Sequence, residues 1–199
     1  MQYLSQRLAA DSPEARDAKR SRPAALGDQR ERILDAAESL VAERGADAVS
    51  IEAIVRRAGV SSVTFYEHFR GKEECLLAAF DRAVGELRDA LAGAVPPAAP
   101  REERLRAALE ALPAALEAEP ARARLCFVEA QRGGPRLRAR YDEALDGAAA
   151  AFDDPLGQAI AGGLAWLVRE RLELGGGGSV QDLLPGMTEV LLAPQPAHG

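Results

Sequence analysis

The 199 residues are 47% apolar and 28% charged, the proportions of a folded globular chain, and the length suits one compact unit or two small ones on a shared core. The longest uncharged stretch runs only from Pro155 to Val168, short of the ~18 residues that span a bilayer, and the start MQYLSQRLAADSPEARDAKR mixes both charges where a secretory signal is basic and then apolar; no membrane segment and a cytoplasmic location are expected. With 25 basic against 31 acidic residues, the net charge of −6 excludes attraction to a polyanion by overall charge and directs attention to local basic clusters.

Ala, Leu, Arg and Glu dominate, and β-branched alternation is absent, which predicts an all-α chain. Residues 1–27, which include the basic run ARDAKRSRP, read either as a disordered arm or as a basic arm reaching phosphates or a minor groove. The segment GDQRERILDAAESLVAERG sets Ile33, Ala36, Ala37, Leu40 and Val41 at helical spacing, and Gly45 suits a left-handed cap. SIEAIVRRAG follows as a short second helix with Ser50 as N-cap and Gly59 as its stop. In VSSVTFYEHFRG, Ser61 caps a third helix of about two turns, and KEECLLAAFDRAVGELRDALAGAV forms a long fourth. PPAAP at 96–100 breaks the run, and helices are predicted near 101–118, 121–131, 136–151, 155–173 and 179–192.

Only Ala58, Gly59, Val60 and Ser61 separate the second helix from the third, a turn short enough to make a helix-turn-helix. Gly59 permits positive φ, Val60 plugs the turn from beneath, and Ile54, Phe65 and Phe69 pack the pair on the first helix. The outer face of the third helix then carries Ser61, Ser62, Val63, Thr64, Tyr66 and His68, groups that a DNA major groove accommodates. Taken singly, Tyr66 is a half-buried aromatic, His68 a surface histidine and Arg56-Arg57 a solvated face; as an ordered set they point to DNA.

The run SIEAIVRRAGVSSVTFYEHFRGKEECLLAAF, and residues 30–80 more widely, resembles the DNA-binding domain of the TetR/AcrR family of bacterial transcriptional regulators. The likeness lies in an apolar helix, then A-G-V-S, a small-residue segment, and Y-x-H-F-x-x-K-E, and it covers about a quarter of the chain. It implies phosphate contacts at Tyr66, His68 and Lys72, a helix cap beside the DNA backbone at Ser50, and base-facing positions at Ser62, Val63 and Thr64. The chain departs from the pattern at Val63, where Gly, Pro or Ala is common, and at Val55, where Ala is usual. Lys72 and the amides after Gly71 open a helix, where partial positive charge favours a phosphate, although Glu73 and Glu74 also serve that end.

No catalytic or metal-binding pattern is found: G-x-S-x-G, H-E-x-x-H and P-loop motifs are absent, and the run Gly175–Gly178 lacks phosphate-loop spacing. No enzyme, cofactor or metal is expected. Cys75 and Cys126 lack metal spacing and read as small buried hydrophobes, with Cys75 as a redox sensor the rival reading.

The C-terminal part resembles the family only loosely. One apolar stripe there includes Leu156, Ile160, Gly163 and Leu167, and a second includes Leu183, Leu184, Met187 and Leu191. Two such helices from each subunit make a homodimer interface, which a helix-turn-helix needs to read two half-sites; the rival is that both stripes face the subunit's own core. Leu87, Leu91, Leu109, Phe127, Tyr141 and Trp166 are candidates for an effector pocket, though periodicity alone does not separate them from core. The expected organisation is an arm at 1–27, a DNA-binding domain at 28–73 and a ligand-binding and dimerisation domain at 74–199. The expected function is a repressor that binds a palindromic double-stranded DNA operator and is released by a small-molecule effector. The rivals are control by a protein partner or by thiol oxidation, and a helical enzyme or carrier that does not bind DNA.

Overall fold

The computed structural model describes residues 13–95, 98–150 and 157–174, and among them it is helical without a strand. The helices are α1 (Pro13–Arg44), α2 (Ile51–Ala58), α3 (Ser62–His68), α4 (Lys72–Ala94), α5 (Arg101–Ala118), α6 (Pro120–Phe127), α7 (Pro135–Ala150) and α8 (Gly157–Leu174), with a single 3-10 turn, Glu129–Gln131, between α6 and α7. No described helix is long and apolar enough to cross a membrane. The predicted helix at 179–192, and with it Leu183, Leu184, Met187 and Leu191, lies outside the described residues, as does Leu156.

Two boundaries differ from expectation. α1 begins at Pro13, so residues 13–27 extend the first helix rather than forming an arm outside it. Pro13 stands at the first helical position, where its missing N–H leaves no ladder bond unmade, and the Glu, Ala, Arg and Lys behind it favour helix. Pro23 and Gly27 are carried within it. The helix expected over 121–131 ends at Phe127 and tightens into the 3-10 turn at Glu129.

The domain boundary expected at residue 73 does not divide the core. Ile33, Leu34, Ala37, Leu40 and Val41 of α1 pack with Ile54 of α2 and with Phe65 and Phe69 at α3, as the spacing predicted. The same cluster takes in Leu76, Ala79 and Phe80 of α4, and it continues into Leu125 and Cys126 of α6 and Leu137 and Tyr141 of α7. Phe65 and Phe80 are fully buried, each contributing about 2–3 kcal/mol of apolar transfer. A second cluster, Leu112, Leu116, Ala123 and Val168 with Leu87, Leu91 and Phe127, lies among α4, α5, α6 and α8. Phe127 touches both clusters.

A buried carboxylate crosses the same seam. Glu38 of α1 is 3% exposed. Its Oε1 accepts from Arg82 of α4 at 2.6 and 2.9 Å, and its Oε2 accepts from Arg122 of α6 at 2.9 Å. Arg82 also donates to Glu31 and to Asp35 at 2.7 Å each, and Arg122 pairs with Glu86 of α4. Burial raises the Glu38 carboxyl above its usual range, against the pull of both guanidiniums. For Arg82, burial opposes the charge, but hydrogen bonds to Glu38 and Glu31 more than offset it and hold the guanidinium charged.

Removing one partner of a buried ion pair strands the other. Arg82→Met, which keeps the apolar stem, is expected to lower the free energy of unfolding in urea by about 3 kcal/mol at neutral pH. Because the Glu38 shift is upward, the folded protein takes up that proton before the unfolded chain does, so the deficit narrows as pH falls through the raised value. A loss below ~1 kcal/mol would show that Arg122 alone sustains Glu38.

Candidate nucleic-acid interface

Two serine caps and one left-handed glycine set the α2–α3 unit. The Ser50 hydroxyl accepts from the Ala53 N–H at 3.2 Å and starts α2. Gly59 stops it with φ 64° and donates its N–H to the Val55 carbonyl, which also accepts from Val60 N–H at 3.1 Å. Ser61 then caps α3, its hydroxyl accepting from Thr64 N–H at 3.0 Å. With Phe65 and Phe69 buried, α3 is anchored through one face only, and its opposite face is left to solvent.

On that open face Val63 is 70% and Tyr66 58% exposed, with Ser61 and Ser62 beside them. The edge of Tyr66 meets Phe65 at 5.5 Å between ring centroids, so the ring is braced from below while its surface stays free. Thr64 is half-buried, and its Oγ1 lies 3.0 Å from Ser61 Oγ. Ser50 is exposed at the start of α2. Arg56 and Arg70 are exposed, Arg56 with Glu52 at 3.8 Å, whereas Arg57 is drawn to Glu43 of α1 in a two-pronged pair, its Nη2 at 2.8 Å.

Two carried-over phosphate contacts stand differently from expectation. His68 is half-buried with its Nε2 enclosed and without a hydrogen-bond partner, so that nitrogen faces the protein rather than the DNA side. Lys72 directs its Nζ to the Ala46 and Asp47 carbonyls at 3.3 and 3.2 Å, which makes it a brace of the α1–α2 loop. At the same helix start the Arg70 N–H is taken by Glu74 Oε2 at 2.7 Å, so that amide is already satisfied by a carboxylate. A role at phosphate for Lys72 rests on the remaining donor capacity of its ammonium.

The candidate effector residues do not form one group. Leu87, Leu91 and Phe127 share the second cluster, Leu109 is buried, and Tyr141 belongs to the core with α1. Trp166 is 50% exposed on α8, one turn from exposed Gly163, where no atom comes within 4 Å of a Cβ position. Its neighbour Ala165 takes the inward position, one helical step around. Of the expected dimer residues, Ile160 packs on the chain's own Ala149 and Ala161, and Leu167 is half-buried. Glu129 was missed altogether. Its signal was a lone carboxylate inside the apolar run LCFVEA, a pattern that calls for a buried partner.

Two short helices joined by a tight turn, with the outer face of the second left bare, form a helix-turn-helix DNA-binding module. Residues 33–79 match the family model described as bacterial regulatory proteins, tetR family, so this stretch of the chain is similar to the DNA-binding domain of that family. The chain is 32% identical over 127 residues to the HTH-type transcriptional activator FasR of Mycolicibacterium smegmatis, covering 64% of this chain and 58% of that protein's length. Among solved structures it resembles the fatty acid degradation regulator FadR from Bacillus halodurans, with a TM-score of 0.71 and 22% identity over 83% of this chain and 98% of that one. The transcriptional regulator FadR from Bacillus subtilis in complex with stearoyl-CoA shares the fold at a TM-score of 0.69 and 19% identity, over 82% and 97% of the two chains.

The cysteines bear on how such a regulator is controlled. Cys75 and Cys126 are buried, and burial pushes both thiols up to about 12. Near pH 8 both therefore stay protonated and unreactive. A thiol reagent is expected to modify neither in the folded protein and both after denaturation; fast labelling of Cys75 in the native state would restore the redox-sensor reading.

Proposed function

We propose that this chain is a transcriptional regulator that reads operator DNA through α3 as a homodimer and is released by a small-molecule effector held in the bundle of α4, α5, α6 and α8. The observation that carries the reading is the two-faced α3, whose Phe65 is fully buried while Val63 and Tyr66 stand exposed on the far side. In this reading Ser62, Val63 and Thr64 meet base edges, Tyr66 and Ser50 lie at the backbone, and Arg56 and Arg70 add positive charge. Residues 28–73 do the reading, and the remaining helices hold the effector and the second subunit. The exposed pair Gly163 and Trp166 on α8 supplies a flat patch for that subunit.

The effector proposed is a long-chain acyl thioester. Two regulators of fatty acid metabolism share the fold, one of them in complex with stearoyl-CoA, and the second cluster is aliphatic, with Leu87, Leu91, Leu164 and Leu172 only partly buried around it. Effector and DNA then compete by linkage, each weakening the other by the same factor.

Selection of bound duplexes from a random library, followed by titration with stearoyl-CoA, tests the reading. A palindromic motif, displaced by stearoyl-CoA but not by free coenzyme A, is expected. Tyr66→Phe should weaken binding to all sequences, and loss of a phosphate contact at Arg56→Ala should reduce the salt slope by about one unit. Val63→Ala should instead change preference at particular base pairs by roughly 1–3 kcal/mol. An unaltered motif and affinity in all three variants would remove α3 from the groove.

A further inference from the structure

The loop joining α1 to α2 is held from two directions. Gly45 closes α1 with φ 82° and donates its N–H to the Val41 carbonyl at 2.8 Å. The next N–H, of Ala46, leaves its own helix and donates to Glu129 Oε2 at 3.2 Å, across 83 residues of sequence. Glu129 is 3% exposed in the 3-10 turn after α6, and its Oε1 lies 3.5 Å from Arg124 Nη2. On the opposite side, the carbonyls of Ala46 and Asp47 accept from Lys72 Nζ at 3.3 and 3.2 Å. Residues Ala46 and Asp47 thus link a buried carboxylate of the C-terminal bundle to the cation that opens α4.

The clamp has little slack. A Cβ on Gly133 would come within 3.1 Å of Ala46 Cβ and 2.6 Å of Leu137 Cδ2, and one on Gly45 within 3.2 Å of Glu129 Oε2. Glu129 also lies two residues after Phe127, which packs against both the second cluster and the core with α1. A shift of α6 within the second cluster therefore moves Glu129, and the buried Ala46 N–H follows the carboxylate because losing its acceptor is costly.

We infer that Glu129 is a positioning residue for DNA binding: its carboxylate sets the 45–47 loop, and through it the Lys72 ammonium and the Ser50 cap of α2, so that the packing of α6 and the DNA-facing side move together. The inference rests on the DNA-binding reading above. Ser50 is only four residues past Ala46, and Lys72 begins the helix that follows α3, so both ends of the α2–α3 unit are referenced to the same loop.

Amide hydrogen exchange on the full chain, with and without a duplex selected from the random library, tests it. In the wild type, the duplex should slow exchange at 61–72 and also at 127–137, on the far side of the clamp, by about fivefold or more. In Glu129→Ala, the duplex should still slow 61–68, while the response at 127–137 disappears. Glu129→Gln, which keeps an acceptor for the Ala46 N–H, should recover part of it. A merely structural role would speed exchange equally with and without DNA and leave the ratio at 127–137 intact, which overturns the inference. Should Glu129→Ala fail to fold, the wild type decides: no response at 127–137 in the DNA-bound wild type also overturns it. A wild type that selects no duplex overturns the DNA-binding reading and this inference together, whereas selection without the distant response overturns this inference alone.

Discussion

A carboxylate inside an apolar core must bring its own cations or donors, and Glu38 and Glu129 impose that demand on the seam between α1 and the C-terminal helices. Glu38 requires Arg82 from α4 and Arg122 from α6 at one point, and Glu129 requires the Ala46 amide and Arg124. Directional bonds to a buried carboxylate tolerate little displacement, so these two side chains help fix the register in which α1, α4 and α6 meet.

The local chemistry of the helix-turn-helix was legible because it depends on residues adjacent in sequence. Ser50 and Ser61 cap the helices they precede, Gly45 and Gly59 take the positive φ expected of them, and Phe65 and Phe69 are buried at the predicted spacing. What the sequence hid depends on distant groups. Lys72 faces carbonyls 25 and 26 residues away, Glu129 faces an amide 83 residues away, and periodicity carries no information on either. Trp166 stands half-exposed because its angular position on α8 is set by Ala165 and Val168, which take the core side.

Similarity to other proteins is distributed in the same way. The family model stops at residue 79, whereas likeness of fold to the Bacillus halodurans regulator covers 83% of the chain at 22% identity. A module whose caps, turn and outer face are each specified by particular residues leaves a readable pattern. A bundle held mainly by leucines and alanines is satisfied by many sequences of suitable volume and spacing, and leaves almost none.

The core that runs from Ile33 through Phe80 to Leu137 and Tyr141 has a consequence for protein engineering. Cutting the chain after α3 or within α4 would expose the apolar sides of Ile33, Leu40 and Phe65 that pack on α4, α6 and α7, and strand Glu38 without Arg122. The DNA-reading part is therefore not a portable cassette. A chimera that joins it to a foreign sensor must import the seat as well as the reader, with Arg122, Leu125, Glu129, Gly133 and Leu137 carried across as one surface and the junction placed beyond α7.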